Sequence, residues 1–219
     1  VIYLHSHVSC RLDAVPLLRT LLSVGVTVLA PDLQGHGQSE GDYVSLGWFE
    51  RDDVEDLIAF VRARGHSGTI GLWGHYTGAV AALLHADRDP TIAALVLEGA
   101  VSDVRQLVSE WVQKGREQGY AVPALLVAAA LRMIRRTVRQ RAGFDAFELK
   151  PLDRASKSFI PALFVVARGD PVVDGHHGRA LHAAYAGDKN LIECPGDNLT
   201  GRSQFLLDSA SIFIANALR

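Results

Sequence analysis

The chain has 219 residues, 48% of them hydrophobic, enough to build one well-buried domain. Its 22 basic and 24 acidic side chains give a formal net charge of -2, which leaves no basic stripe for neutralising phosphates and argues against a nucleic-acid partner. Cys10 and Cys194 stand far apart without CxxC spacing, and no uncharged apolar run reaches the roughly 18 residues of a membrane span. A disulfide scaffold, a thiolate metal site and a membrane-spanning protein are therefore not expected. A cytoplasmic location is, since "VIYLH" opens without the features of a signal peptide.

In chain order, "VIYLH" (1–5) reads as a strand and 11–24 as a helix, followed by a second strand at 26–30, "VTVLA". The glycine-bearing loop "DLQGHGQSEG" then leads to the clearest helix, 48–64. There Phe49, Val54, Leu57, Ile58 and Val61 form one stripe, acids come early and arginines late, and Gly65 supplies the stop. A strand at 69–73 runs through "GHYTG" into a helix at 77–86, and a further strand follows at 92–98. The rhythm breaks over 99–160, where helical patterns at 102–114 and 122–140 follow one another without an intervening strand. Within the second, "RMIRRTVRQR" (132–141) reads as the solvated face of an amphipathic helix, with an anion or membrane-surface site as the other reading. Strands at 161–167 and 190–194 and helices at 175–186 and 202–218 complete the chain.

Buried apolar strands alternating with helices predict an α/β fold with a doubly wound, mostly parallel sheet. We expect a single domain over 1–219, with a short helical cap inserted at about 102–158. In such sheets ligands bind beyond the carboxyl ends of the strands, so the loops that follow the strands hold the candidate residues.

The most specific of these is "GLWGHYTG", residues 71–78, in which Gly74 and Gly78 frame a sharp strand-to-helix turn. Together with "GHGQSEG" and the order of the loops, it resembles the α/β-hydrolase family of serine esterases, lipases and peptidases, over essentially the whole chain. The resemblance implies a nucleophilic serine at the turn, an acid after the fifth strand and a histidine in the last loop. Here those positions are held by Tyr76, Asp170 and Asn198. Asparagine cannot accept and return a proton near neutral pH, and a phenol with an ordinary pKa near 10 is a poor substitute for an activated serine. The family's oxyanion hole would be formed by the amides of His7 and Thr77, in a loop that reads His5-Ser6-His7 rather than His-Gly.

Departures from the family pattern thus gather in the loops at one end of the sheet, which marks a rewritten site rather than scattered decay. The expected function is an esterase-type scaffold with its acyl-enzyme mechanism disabled, leaving a pocket for a small, partly apolar molecule, with no cofactor. The alternatives are a repurposed or engineered hydrolase or lyase that uses Tyr76 with His7 or His75, and a non-catalytic protein-interaction module. His5, Ser6, His36 and His75 are candidate pocket residues and proton carriers. A displaced Ser6–His7 or Ser6–His75 dyad is possible in principle. A zinc site built from His5, His7, His36 and His75 would need three or four ligand atoms at one point. Each of these histidines reads more simply as a hydrogen-bonding loop residue, and no metal is expected. The sequence leaves the oligomeric state open.

Overall fold

A computed structural model describes residues 1–197 and 201–219. Five parallel strands, β1 (Ile2–Leu4), β2 (Ile70–His75), β3 (Ile92–Glu98), β4 (Ala162–Ala167) and β5 (Lys189–Cys194), lie side by side in chain order. The expected strand at 26–30 is reduced to a bridge between Leu29 and Ile2. As an edge segment it has one neighbour to pair with, and it is tied there by bonds of 2.8 Å from Tyr3 N–H to Leu29 O and from Leu29 N–H to Val1 O. Because Ile2 pairs with Leu29 on one side and Leu72 on the other, the chain steps outward from β1 and then returns past it to β2. In a doubly wound sheet, ligands bind at the carboxyl ends of the strands that flank such a reversal, here β1 and β2.

The helices are α1 (Val15–Ser23), α2 (Glu50–Ala63), α3 (Thr77–Ala86), α4 (Val104–Glu117), α5 (Ala124–Ala142), α6 (Leu152–Ala155), α7 (Gly175–Ala184) and α8 (Gln204–Ala217). The chain falls into two compact units, one of residues 1–102 with 151–219 and one of Asp103–Lys150. The second is shorter than the insertion expected at about 102–158, because the residues from Pro151 onward belong to the sheet unit. Within it, Asp103 caps α4 by accepting from the Arg105 and Gln106 amides at 2.7 and 3.2 Å, and Gly143, at φ 72°, ends α5.

In the sheet unit, strand alternation sorts two cores. Ile2, Leu4, Leu72, Leu95, Leu97 and Phe164 pack with Ala79 and Leu83 of α3, whereas Tyr3, Trp73, Val96 and Val165 pack with Leu17 and Leu21 of α1 and Ala210 and Ile214 of α8. Apolar residues on both faces account for the nearly unbroken hydrophobic runs of the strands. The closest approach is between α3 and β1, where a Cβ on Gly78 would lie 2.0 Å from the Leu4 carbonyl oxygen. A Cβ on Gly74 would lie 2.4 Å from the Ala79 nitrogen. Both glycines are required because backbone atoms, which cannot swing aside, occupy that space.

Gly78→Ala should therefore lower stability by about 3 kcal/mol in urea unfolding, the upper end of the overpacking range. Gly115→Ala, within α4 where a Cβ meets nothing inside 4 Å, should raise it by about 0.5–1 kcal/mol. Equal responses of the two variants would show that the glycine frame is not sterically required.

Candidate functional site

β2 ends at His75 and α3 starts at Thr77, so the whole change of direction falls on Tyr76, at φ 46° and ψ -104°. A positive φ is a rare and strained state for a bulky residue, costing on the order of 1–3 kcal/mol. The surroundings enforce it. The Tyr76 N–H donates to the Glu98 carbonyl at 2.8 Å, the Tyr76 carbonyl accepts from the Val80 N–H at 3.0 Å, and the flanking glycines admit the close packing. Thr77 becomes the first residue of α3, so its amide has no acceptor within the helix and lies at the positive end of the helix dipole. His7, in the loop after β1, sets its ring edge-on to the Tyr76 ring with centroids 6.4 Å apart.

The Tyr76 hydroxyl donates to Asp170 Oδ2 at 2.5 Å. Oδ1 of the same carboxylate accepts from the Val172 and Val173 amides at 2.8 and 2.9 Å, which shapes the turn leading toward α7. Both side chains are buried. The structure thus brings together two of the three positions that the sequence comparison singles out, with the phenol ring extending from the turn to the acid. Asn198 lies outside the described residues.

The histidines do not converge as metal ligands. Among the described residues no cluster of ligand atoms includes three of His5, His7, His36 and His75. His5 and His36 stand with ring centroids 4.8 Å apart, but their nitrogens face the backbone: His36 Nδ1 lies 2.9 Å from Gln34 O and Nε2 3.2 Å from His7 O. The Ser6 hydroxyl has no hydrogen bond to His7 or His75 among the described residues, so neither displaced dyad is formed. His75 instead turns to the α1 and α8 face of the sheet, as alternation from Trp73 requires, and its Nδ1 meets Asp13 Oδ2 at 2.9 Å. Its ring still stacks at a tilt beside Tyr76, centroids 4.6 Å apart.

Asp13 belongs to a polar network, largely buried, whose members lie far apart in sequence. Arg202 donates through Nε to Glu98 Oε2 at 2.7 Å and through Nη2 to Tyr3 Oη at 2.7 Å, and it lies 3.6 Å from Asp13. Tyr3 donates to Asp13 at 2.8 Å and Trp73 Nε1 to Glu98 Oε1 at 2.8 Å. Burial raises the Tyr3 pKa well above 10, and neighbouring Glu98 and Asp13 add to the rise while Arg202 opposes it. Burial alone would raise Asp13 as well, but the hydrogen bond and charge of His75, with Arg202 and Tyr3, hold its carboxyl well below the ordinary range. The only sequence signal was the appearance of polar residues, His75 and Glu98, at the ends of otherwise apolar strands. A separate cleft of about 480 Å³ opens at the amino ends of β1 and β2, lined by residues such as Val26, Phe60 and Thr69, and none of the candidate residues lies on its wall.

His5 couples the loop after β1 to pH. Its Nε2 accepts the Leu33 N–H at 2.9 Å, so its proton sits on Nδ1, 2.8 Å from Ser6 O. Burial lowers its pKa below 6.5, with the Ser6 carbonyl opposing and the His36 charge assisting, and burial likewise lowers that of His7, assisted by His36 and His75. Below pH 6.5 the unfolded chain takes up protons that the folded loop resists, so this stability is fully present above 6.5 and lost as pH falls toward the lowered folded values. His5→Ala should cost about 1–3 kcal/mol at pH 7.5 by leaving the Leu33 amide unsatisfied, and should flatten the fall in Tm between pH 7.5 and 5. An unchanged slope would clear His5 of that role.

Comparison with known proteins agrees with the topology. The Bacillus subtilis (strain 168) protein YqkD is 28% identical over 198 residues, covering 87% of this chain and 61% of its own length. The Rattus norvegicus lysophosphatidylserine lipase ABHD12 is 26% identical over 198 residues, covering 83% of this chain and 44% of its own. The chain therefore spans only part of the length of these relatives. Among solved structures, a Pyrococcus furiosus esterase, Pf2001, superposes with a TM-score of 0.71 at 17% identity, covering 100% of this chain and 83% of the esterase. A Paleococcus ferrophilus monoacylglycerol lipase does so with a TM-score of 0.71 at 17% identity, covering 99% and 93%. At that identity the superpositions show the shared α/β-hydrolase fold. The sequence profile of the serine aminopeptidase S33 family matches residues 4–152, well over half the chain and including the strained turn at Tyr76, and to that family of α/β-hydrolases the chain belongs.

Proposed function

We propose that this esterase- and lipase-type scaffold binds a small, partly apolar molecule at the carboxyl ends of β1 and β2, with the acyl-enzyme route closed. The observation that carries this reading is the direct hydrogen bond from the Tyr76 hydroxyl to Asp170. In a serine triad an imidazole lies between nucleophile and acid, bonded to both, and carries the proton from one step to the next. Here the phenol runs through the space between the turn and the acid and bonds the acid itself. Its hydroxyl is directed at a carboxylate rather than at a position from which a short side chain on this turn would attack a carbonyl. With asparagine at position 198, the last loop offers no replacement base at the family position.

The donors that would steady a ligand remain. The Thr77 amide at the start of α3 and the His7 amide in the loop after β1 are the proposed anchors for a carbonyl or carboxylate oxygen, since backbone donors do not depend on side-chain identity. His5, Ser6, His36 and His75 then serve to hold the loops and the Tyr76 ring rather than to carry protons. That relatives include proteins named as lipases and esterases supports a ligand with acyl character.

Hydrolysis of p-nitrophenyl acetate and butyrate tests this directly. The native chain and Tyr76→Phe should match the buffer rate, and Tyr76→Ser combined with Asn198→His should rise at least about 100-fold above it, the lower end of general acid–base contributions. Turnover by the native chain that Tyr76→Phe abolishes would identify a replacement mechanism built on the phenol and overturn the proposal.

A further inference from the structure

Among the described residues, α5 buries none of its own side chains. At its amino end Leu125 and Leu126 are 81% and 60% exposed, Met133 two turns on is 66% exposed, and Tyr120 in the preceding loop is 65% exposed. Leaving so many large apolar side chains in water on one helix and its entry loop is unfavourable and marks an interaction surface. Charge is equally one-sided. From Gln118 to Phe144 the sequence has no aspartate or glutamate, and it holds five arginines, Arg132, Arg135, Arg136, Arg139 and Arg141. Arg135 is paired with Asp145 at 2.6 Å and Glu148 at 3.1 Å, and Arg139 reaches Asp145 at 3.6 Å. Arg132, Arg136 and Arg141 are exposed and have no carboxylate partner among the described residues.

Exposed apolar residues lead the helix at Leu125 and Leu126 and continue among the first arginines at Met133 and Ile134. Leu126, Ala129, Met133, Arg136 and Gln140 recur at helical spacing on the outward face, which is apolar over its first turns and basic over its last. Leu125 precedes Arg132 by seven residues, a rise of about 10 Å.

We propose that the amino end of α5, with the loop from Tyr120, docks on a bilayer surface rich in anionic phospholipid, its apolar tip entering the boundary and Arg132, Arg136 and Arg141 meeting the phosphates. Charge complementarity selects this occupant. A neutral apolar partner would leave three cations unmatched, and a purely polyanionic one would leave Leu125 and Leu126 in water. No helix among the described residues is long and apolar enough to cross a membrane.

Flotation of the full chain with vesicles of phosphatidylcholine alone, or of phosphatidylcholine with phosphatidylserine, tests the proposal. Partitioning should be at least about tenfold stronger on the anionic vesicles and weaken with added salt. Arg132→Gln, Arg136→Gln and Arg141→Gln should each reduce it about fivefold. Leu125→Ser with Leu126→Ser should reduce it at least about tenfold on either side of the salt range. Arg19→Gln, at an exposed arginine of α1, should leave it unchanged, and circular dichroism should show every variant folded. No partitioning by the folded chain, equal partitioning onto both vesicles, or self-association lost with Leu125→Ser in place of vesicle binding would overturn it.

Discussion

The structure depends on one unfavourable backbone conformation, the positive φ of Tyr76. It turns the chain from the middle of the sheet directly into α3, points residue 76 past the strand ends, and leaves the first amides of the helix facing the same way. A tyrosine would leave this region of φ and ψ if the surroundings allowed it. They do not: its N–H is held by Glu98, its carbonyl by Val80, and Gly78 lets α3 press directly against the Leu4 carbonyl. In a hydrolase this strain serves the nucleophile. In this chain the packing of α3 on β1 and β2 is reason enough to keep it, so the turn is required by the fold whatever its central residue does.

Below the turn, on the other face of the sheet, the network of Glu98, Arg202, Asp13, Tyr3 and His75 fixes the same strand ends from behind. Two carboxylates surround one guanidinium that is 7% exposed, and a buried charge left without its partner would cost several kcal/mol. The arrangement is therefore cooperative. Glu98 supplies its carbonyl to the Tyr76 amide and its carboxylate to Arg202, while His75, adjacent to Tyr76 in sequence, is held by Asp13. Arg202 bonds residues of β1 and β3 just before α8 begins.

Much of this was legible in the sequence because it is local. The stripe of Val54, Leu57, Ile58 and Val61, the glycine frame at 74 and 78, and the order of strands and helices each rest on spacing within a few residues, and each element formed close to where it was expected. The strand at 26–30 was overestimated because β-branched composition reports burial rather than pairing, and this segment meets β1 through an isolated bridge at Leu29. The position of Asp170 could be read from the loop order, but its bond to Tyr76 could not, because the two stand 94 residues apart and the contact depends on a rotamer. The ionic network was invisible for the same reason. Asp13, His75, Glu98 and Arg202 lie in four separate segments, and only the folded sheet brings them together.

Asp170 bears most directly on the question of chemistry. An acid retained at a triad position invites a catalytic reading, yet here it also has a structural occupation: one oxygen receives two backbone amides that shape the turn toward α7, and the other receives the phenol. Removing catalysis would not release it, since those amides would be left buried and unsatisfied. Its presence is therefore compatible with either function and decides nothing by itself. The discriminating feature is what lies between acid and turn. An imidazole there can change its protonation during a reaction cycle at neutral pH. A phenol already donating its proton to the carboxylate has to lose that bond before it can do anything else. The proposed function rests on this difference: the Tyr76 phenol, and not an imidazole, is bonded to Asp170.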